Sequence, residues 1–230
     1  MTWQTNPAFI GLRNIVRKTG LNRRLAGFRA GGGYEHAFDD ALSAALRSGD
    51  VVWDVGANVG YYTKRFSEAV GPDGHVVAFE PFPATAERFR AQMQGIENYK
   101  LHVSALGAEA GSVIMQAGSD ALGATSRIIE HGEHGVAIRL ETGDGLLEKG
   151  DALAPNLVKI DTEGFELEVL RGMTKLLKSS RLRGVFVEVH FGLLADRGQP
   201  HAPAEIERVL KAAGLATRWV GPSHIAAERG

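Results

Sequence analysis

The sequence predicts an α/β protein with a doubly wound, mostly parallel sheet, because short apolar segments alternate with helical segments along the chain. Two further observations support this class. The apolar run at 51–55 leads into the glycine turn at 56–60, and a second apolar run ends at Glu80, an acidic residue. With 230 residues and 44% hydrophobic content, the chain is long enough for one well-buried domain.

The apolar and amphipathic patterns place the individual elements. Parallel strands are expected at about 51–55, 76–80, 100–104, 156–161 and 184–189. Helices are expected near 34–47, 61–70, 83–94, 162–178 and 203–213. The helix at 34–47 follows a flexible glycine break and would form a lid or entry wall for a pocket.

Three segments depart from simple alternation. Residues 112–117 and 136–141 look like two additional strands, and the polar, glycine-rich loop at 118–135 between them is a natural place for substrate contacts. Near the end, residues 215–228 predict an antiparallel hairpin around Gly221-Pro222. The sheet is therefore expected to finish with an antiparallel pair.

The charges divide the chain into a basic N-terminal helical segment, residues 1–33, and a domain at 34–230. The segment carries apolar residues at helical spacing and no acidic residue. It is expected to be a solvated helix face, or else a surface for an anionic lipid, a phosphorylated substrate or RNA. Its basic residues are Arg13, Arg17, Lys18, Arg23, Arg24 and Arg29. No RNA-binding module is present, so nucleic acid is not an expected partner.

Composition excludes several kinds of chemistry. The chain has no cysteine, so disulfides, thiolate nucleophiles and zinc-thiolate sites are excluded. The first residues lack the pattern of a signal peptide, and no run approaches 18 apolar residues. The sequence therefore predicts a cytoplasmic protein with no transmembrane segment.

The turn at 56–60 predicts a nucleoside pocket. Gly56 and Gly60 let the backbone turn sharply and approach a ligand, and Asp54 lies at the strand tip, where open α/β sheets bind ligands. Glu80 ends the next strand, where a carboxylate can accept hydrogen bonds from both hydroxyls of a ribose. The alternative is a tight strand-to-helix turn that binds nothing.

The details of the turn favour S-adenosylmethionine over a dinucleotide. Asn58 stands where the dinucleotide fingerprint has its second glycine, and its side chain obstructs a pyrophosphate. Asp54 would repel the phosphates but attract the ammonium of a methionine group. A nicotinamide-dependent dehydrogenase is therefore the weaker alternative.

Ionisable residues gather at the ends of two later strands. Strand alternation places Lys159 and Asp161 on one face, with Asp161 at the tip, and places Glu188 and His190 together on the neighbouring strand. Glu163 is expected in the first turn of the helix that follows. We interpret these five residues as the candidate catalytic groups.

Each of these residues also has a structural interpretation. Glu163 can serve as a helix cap, and Glu166 with Glu168 would be solvent-facing charges of the same helix. Lys159 and Glu188 can form a mutual buried ion pair, since each lies inside an apolar strand. Taken alone, His190 is more often a satisfied core or rim histidine than a catalyst.

The chain resembles the FkbM-type S-adenosylmethionine-dependent methyltransferases over roughly residues 35–220. The motifs that carry the resemblance are DVGANVGYYT at 54–63, VVAFEPFP at 76–83, SALG at 104–107, VKIDTEGFELEVLRG at 158–172 and VEVH at 187–190. Thr142-Gly143-Asp144 replaces the Thr-Leu-Asp that the family usually carries. The resemblance implies a Rossmann-like, seven-stranded methyltransferase sheet that finishes in an antiparallel hairpin.

The resemblance also implies how the cofactor would be held. Asp54, Gly56, Asn58 and Gly60 would surround its methionine end, with Tyr61 and Thr63 at the start of the helix. Glu80 would hold the ribose. The adenine would lie between Pro81 and the corner formed by Ser104 and Ala105.

The expected reaction is methyl transfer to a hydroxyl of a small molecule, such as a sugar or a polyketide-like natural product. N-methylation of a peptide side chain is the alternative, and a cofactor-binding protein without catalysis is a third. His190 would act as general base on the acceptor. A divalent cation held by Asp161 with Glu188 or His190 could instead orient and acidify the acceptor.

Overall fold

In the computed structural model of the protein, the described residues are 33–116, 127–128 and 135–230. The basic segment apart from its last residue, and most of the loop at 118–135, lie outside them. The helix expected around Phe9, Leu12 and Val16 and the substrate contacts expected in the loop therefore stay predictions.

The strands and helices follow the predicted alternation. The strands are β1 (Val51–Val55), β2 (His75–Phe79), β3 (Tyr99–His102), β4 (Ala105–Leu106), β5 (Gly111–Gln116), β6 (Arg127–Ile128), β7 (Val136–Glu141), β8 (Leu157–Ile160), β9 (Gly184–Glu188), β10 (Ala216–Trp219) and β11 (His224–Glu228). The helices are α1 (Gly33–Ala45), α2 (Tyr61–Val70), α3 (Pro83–Gln92), α4 (Gly143–Lys149), α5 (Glu166–Arg171), α6 (Phe191–Asp196) and α7 (Ala202–Ala212), with a 3₁₀ turn at Leu176–Lys178.

Within the described part of the chain, seven strands form the main sheet in the order β10-β11-β9-β8-β1-β2-β3. β1 pairs in parallel with β2 and β8, and the parallel pairing continues to β3 on one side and β9 on the other. β11 is antiparallel to both β9 and β10. The doubly wound, mostly parallel fold with a terminal antiparallel hairpin is confirmed.

A smaller sheet covers one end of the main one. Its strands lie in the order β4-β7-β5-β6, among the residues that the structure describes. β5 is antiparallel to β7 and β6, whereas β4 is parallel to β7. The two additional strands expected between the third and fourth parallel strands therefore exist, and they build a separate sheet.

The central strands β1, β2, β8 and β9 of the main sheet are buried on both faces, which explains their continuous apolar runs. Alternate residues of β1 point to opposite sides, so Val52 packs with Phe38 of α1 and Phe66 of α2. Trp53 packs on the other face with residues from α5 and α7. Among the described residues, no helix is both long and apolar enough to cross a bilayer.

One helix prediction was wrong, and two short helices were missed. The helix expected over 162–178 is α5 followed by a separate 3₁₀ turn, because the backbone at Glu163 and Gly164 is left-handed, with φ of 52° and 93°. A right-handed helix cannot pass through those residues. The missed helices are α4 and α6, and each has six or seven residues.

Gly56 is required by both backbone conformation and space. Its φ is 83°, and a Cβ built there would lie 1.8 Å from the carbonyl oxygen of Asp161. A side chain at this position would therefore separate the end of β1 from the end of β8.

We expect Gly56→Ala to destabilise the fold by about 2–4 kcal/mol, since it adds a backbone clash to a strained φ. Gly95 is the matched control, because its φ is 80° and a Cβ there meets nothing within 4 Å. Gly95→Ala should cost only about 1 kcal/mol. Urea denaturation compares the two variants, and equal losses of stability would show that the contact with Asp161 is unimportant.

Candidate active site

A cleft lies between the C-terminal edge of the main sheet and the small sheet. It encloses about 740 Å³ of empty space, including the part open to solvent. Its lining is mostly apolar, with carboxylates at one side. The lining residues are Val55, Gly56, Phe79, Glu80, Pro81, Phe82, Thr85, Ala105, Leu106, Val113, Met115, Leu140, Asp161, Thr162, Glu163 and Phe165. This is where an open α/β sheet binds its ligand.

The glycine turn forms the floor of the cleft. The N–H groups of Gly56 and Ala57 both donate to the carbonyl oxygen of Phe79, which ties the turn to the end of β2. Asn58 and Gly60 adopt φ of 50° and 92°. These bonds hold the turn against the end of β2, and Gly56 of the turn lines the cleft.

Glu80 lies at the expected strand end and is held by the backbone. Its two carboxylate oxygens accept hydrogen bonds from the N–H groups of Asn58 (3.1 Å) and Phe82 (2.9 Å). Burial raises its pKa to about 7, with those two hydrogen bonds opposing the rise and the charge of Asp54 adding to it. The carboxylate is therefore fixed in position and faces the cleft.

Asp54 and Thr63 have other partners than the expected cofactor. Both are fully buried, and the Thr63 hydroxyl donates to Asp54 Oδ2 at 2.6 Å. The Lys159 ammonium lies 3.5 Å from Asp54 Oδ1 and 3.3 Å from Asp161 Oδ2. Neither Asp54 nor Thr63 lines the cleft, so each shapes the turn from behind.

The remaining expected cofactor residues divide into two groups. Pro81 and Ala105 line the cleft. The Ser104 hydroxyl is buried and donates to Glu141 at 2.9 Å, and the Tyr61 ring is 60% exposed and packs on Tyr62. Ser104 and Tyr61 do not line the cleft.

The carboxylates expected at the strand ends do gather around His190. Its Nε2 lies 3.4 Å from a Glu163 oxygen, 3.7 Å from Asp161 and 3.8 Å from Glu188. Its Nδ1 lies 2.7 Å from Glu166 Oε1. The ring is largely buried beside the carboxylate side of the cleft, because two of these residues line it.

These neighbours alter the acidity of the histidine. Burial alone lowers the pKa of His190, but the hydrogen bond to Glu166 and the charges of Glu166, Glu163 and Asp161 outweigh it and raise the pKa to about 9. The ring is thus a stronger base than an ordinary histidine and is protonated at neutral pH.

The pKa of Glu163 is raised as well, but for a carboxyl group this rise favours the neutral form. Burial raises its pKa to about 7, and the neighbouring carboxylates add to that rise against the opposing effect of His190. Its left-handed backbone is uncommon for a residue other than glycine and is a form of strain typical of functional sites. Glu163 is neither in the first turn of α5 nor its N-cap, which is Phe165, so the interpretation of Glu163 as a helix cap was wrong.

Lys159 is not the partner of Glu188, and that expectation was also wrong. The Lys159 ammonium is buried between Asp54 and Asp161 and lies 4.5 Å from the ring centroid of Tyr62. Glu188 faces His224 at 3.6 Å, and hydrogen bonding to His224 lowers the pKa of Glu188. Lys159 therefore belongs to one ion-pair group, with Asp54 and Asp161, and Glu188 belongs to another, with His224. Asp161 and Glu188 each also lie near His190.

Glu166 is the residue that the sequence interpretation missed. It was expected to be a solvent-facing charge with Glu168, yet Glu166 has no exposed surface. Glu168 is also largely covered, with its oxygens close to Gln199 and Arg197. α5 starts at Glu166, where Oε1 of that side chain accepts a hydrogen bond from the N–H of Gly164 and lies 2.7 Å from His190 Nδ1. The sequence signal for this later start was Gly164, whose φ is left-handed.

Three potential ligand atoms, on Asp161, Glu163 and His190, lie within 4.8 Å of one another. Such groups are common at acidic surfaces without an ion. The divalent cation stays an alternative from the sequence alone.

A seven-stranded sheet with a terminal hairpin and a ligand cleft at its carboxyl edge defines a Rossmann-like methyltransferase fold. The solved structure of a putative methyltransferase from Streptococcus mutans in complex with SAH has this fold, with a TM-score of 0.52 and 13% identity over 83% of this chain and 94% of that one. A methyltransferase FkbM from Methylobacillus flagellatus KT gives a TM-score of 0.50 at 13% identity, covering 77% of this chain and 43% of that chain.

The family model described as the methyltransferase FkbM domain matches residues 54–215, and the chain belongs to that family. Hexuronic acid methyltransferase AglP from Haloferax volcanii is 32% identical over 169 residues, which is 73% of this chain and 64% of the relative. The chain therefore spans somewhat less than two thirds of that relative's length. All five motifs that carry the resemblance lie within the matched range.

The buried Lys159 gives a stability prediction. Lys159→Met removes the cation that compensates Asp54, which has no access to water, so the free energy of unfolding should fall by about 3–5 kcal/mol. The double variant with Asp54→Asn should recover part of that loss. Chemical denaturation measures both, and a Lys159→Met protein as stable as the original would disprove the pairing.

Proposed function

We propose that the protein transfers the methyl group of S-adenosylmethionine to a hydroxyl of a small sugar-type molecule. One observation carries the proposal: the cofactor-type cleft ends beside a buried histidine whose Nε2 faces the acidic groups at its side. Membership of the FkbM family and the similarity to a hexuronic acid methyltransferase support it.

The cofactor would bind along the sheet edge. Glu80 is positioned to accept hydrogen bonds from the ribose hydroxyls, because each of its oxygens has accepting capacity beyond its one backbone bond. Pro81, Phe82 and Ala105 give an apolar surface for the adenine. Gly56 and Asp161 both line the cleft and would lie beside the methionine end, with the glycine packed on the Asp161 carbonyl.

The reaction is an in-line displacement at the sulfonium methyl. The acceptor oxygen attacks the methyl carbon, and the carbon–sulfur bond breaks with its electron pair going to sulfur. The hydroxyl proton passes to His190 Nε2, which requires a neutral ring. A bound sulfonium would place a positive charge near the ring and lower its pKa from about 9 toward the working pH.

The carboxylates around His190 bear on the acceptor. Asp161, Glu163 and Glu188 can accept hydrogen bonds from sugar hydroxyls, whereas they would repel an anionic group. The hydroxyl of a hexuronate would therefore enter with its own carboxylate pointing away. The same negative surroundings would attract an amine, which keeps N-methylation of a peptide side chain as the second candidate.

Mass spectrometry distinguishes the two candidates. The protein is incubated with S-adenosylmethionine and three acceptor sets: free hexuronic acids, neutral hexoses and lysine-containing peptides. We expect the gain of one methyl on a sugar. If only the peptides gained a methyl group, N-methylation would replace O-methylation as the proposed function. If no acceptor set gained a methyl group, the proposal would be without support.

Glu80 makes cofactor affinity depend on pH. Ribose hydroxyls donate to the ionised carboxylate, so binding favours the ionised form and S-adenosylhomocysteine affinity should rise as the pH increases through about 7. Below that value the affinity falls by up to about tenfold per pH unit. Glu80→Ala should weaken binding by about one to two orders of magnitude at pH 8 and flatten this dependence. Calorimetry on a variant with unchanged affinity would refute the assignment.

His190 should control turnover more than binding. For His190→Gln we expect kcat to fall by about 10²–10⁴-fold, with S-adenosylhomocysteine affinity within about threefold. In the original protein kcat/KM for S-adenosylmethionine, which reports on the protein without bound cofactor, should rise with pH toward about 9, where the ring becomes neutral. The exposed residue His201 supplies the matched control, His201→Gln.

The same kinetics are measured on chelator-treated protein with and without added magnesium. We expect no magnesium requirement. An absolute requirement, together with a His190→Gln variant that keeps its rate, would assign proton removal to a cation and contradict the role of the histidine.

A further inference from the structure

Glu166 pairs with His190, although a general base at His190 does not by itself require a buried carboxylate partner. A lone histidine at the side of the cleft would suffice to take a proton, yet Nδ1 lies 2.7 Å from the oxygen of a carboxylate that has no exposed surface. Burying a carboxylate is costly unless it is paired. An apolar side chain would fill the same space at a lower cost in free energy.

The carboxylate is fixed from two sides. Glu166 Oε1 also accepts a hydrogen bond from the N–H of Gly164 at 2.8 Å. Gly164 can point its N–H that way because its φ is 93°, and a Cβ there would meet the Cβ of Leu193 at 2.9 Å. The turn before α5 therefore holds Glu166 Oε1 in place. The other oxygen of Glu166 is buried and has no hydrogen-bond partner among the described residues.

The two ring nitrogens of His190 compete for one proton in the neutral state. On the Nε2 side, Asp161 and Glu163 from the loop after β8 and Glu188 from β9 lie 3.4–3.8 Å away. Lys159 stands behind Asp161, and His224 stands behind Glu188. Without a stronger partner on the other side, these carboxylates would attract the proton to Nε2.

The distances decide this competition. A contact of 2.7 Å is a charge-assisted hydrogen bond, whereas 3.4–3.8 Å lies at or beyond the limit for one. The proton is thus favoured on Nδ1, and Nε2 keeps its lone pair. An Nε2 that already carried a proton could not accept one from an acceptor hydroxyl.

We propose that Glu166 is a positioning residue for His190: it holds the proton on Nδ1, so that the neutral ring presents a free Nε2 to the acceptor. This role rests on the proposed methyl transfer with His190 as base. It follows the general logic by which a buried carboxylate orients a catalytic histidine and selects its tautomer.

The test is nitrogen-15 NMR of the histidine rings at pH 10, in the whole protein with S-adenosylhomocysteine as probe. In the original protein, His190 should show a protonated Nδ1 and an unprotonated Nε2. In Glu166→Gln and Glu166→Met the Nε2-protonated form should become the larger population, and the pKa of His190 should fall by about one unit or more. Glu168→Gln is the matched control, because it alters a carboxylate of the same helix whose side-chain contacts are with Gln199 and Arg197.

Kinetics on the best sugar acceptor complete the test. We expect Glu166→Gln to lower kcat by about 10²–10⁴-fold with little change in KM, and Glu166→Asp, which keeps the charge, to recover part of the loss. If Glu166 has only a structural role, its substitution should lower stability and leave the proton of the neutral His190 ring on Nδ1.

The outcomes separate this inference from the proposed function. An original protein whose neutral His190 carries its proton on Nε2 overturns the role of Glu166, even if every variant fails to fold. A Glu166→Gln variant in which His190 keeps its original tautomer and kcat is unchanged also overturns the role of Glu166. A His190→Gln variant that keeps full activity refutes the base assignment instead, whatever the NMR shows.

Discussion

The structure around the cleft depends on one buried ion pair. Lys159 lies between Asp54 and Asp161, with no water to solvate any excess charge on Asp54. Through Asp54 the ammonium is coupled to Thr63 and the start of α2, and through Asp161 to the group around His190. Parallel pairing of β1 with β8 sets Asp54 directly opposite Lys159. This pairing therefore fixes the glycine turn relative to the acidic groups that would meet the acceptor.

Close backbone contact adds to the same constraint. Gly56 packs so tightly on the carbonyl of Asp161 that no side chain fits, so the cofactor turn and the acceptor side are neighbours at the level of the main chain. Methyl transfer requires such proximity, because the methyl carbon and the acceptor oxygen must be aligned. In the proposed reaction, the fold would bring these two sides together before any ligand binds.

Charge divides the cleft into two regions with different chemistry. Toward the small sheet it is apolar apart from Glu80, which suits a nucleoside. Toward β8 and β9 four carboxylates surround His190 and keep its pKa high. A positive sulfonium between the two regions would offset part of the negative charge and lower the pKa of His190, so that the neutral ring could act as base. The cofactor would thereby prepare the histidine that the reaction requires.

Local signals in the sequence predicted the main sheet, and four of the residues expected to hold the cofactor, Gly56, Glu80, Pro81 and Ala105, line the cleft. Buried parallel strands are continuous apolar runs, so their positions were visible, and Glu80 was found by its place at a strand end. The small sheet required pairing between distant segments, which local patterns do not encode. Glu166 was missed because its partner His190 follows a different strand, and a contact between segments so far apart in the chain leaves no local signal.

Helix α4 was missed for a different reason. It begins where Thr142 accepts a hydrogen bond from the N–H of Gly145, which is a capping signal, but glycine at the next position is a poor helix former. Packing of Leu146 in the core stabilises the helix, and such a contact is not visible in the local sequence.

Calorimetry with S-adenosylmethionine, S-adenosylhomocysteine and NAD on metal-stripped protein tests the central claim most directly. The account predicts that both sulfur cofactors bind at one site per chain and that NAD does not. Tight NAD binding, or the absence of binding by either sulfur cofactor, would contradict it and leave the glycine turn as a structural feature.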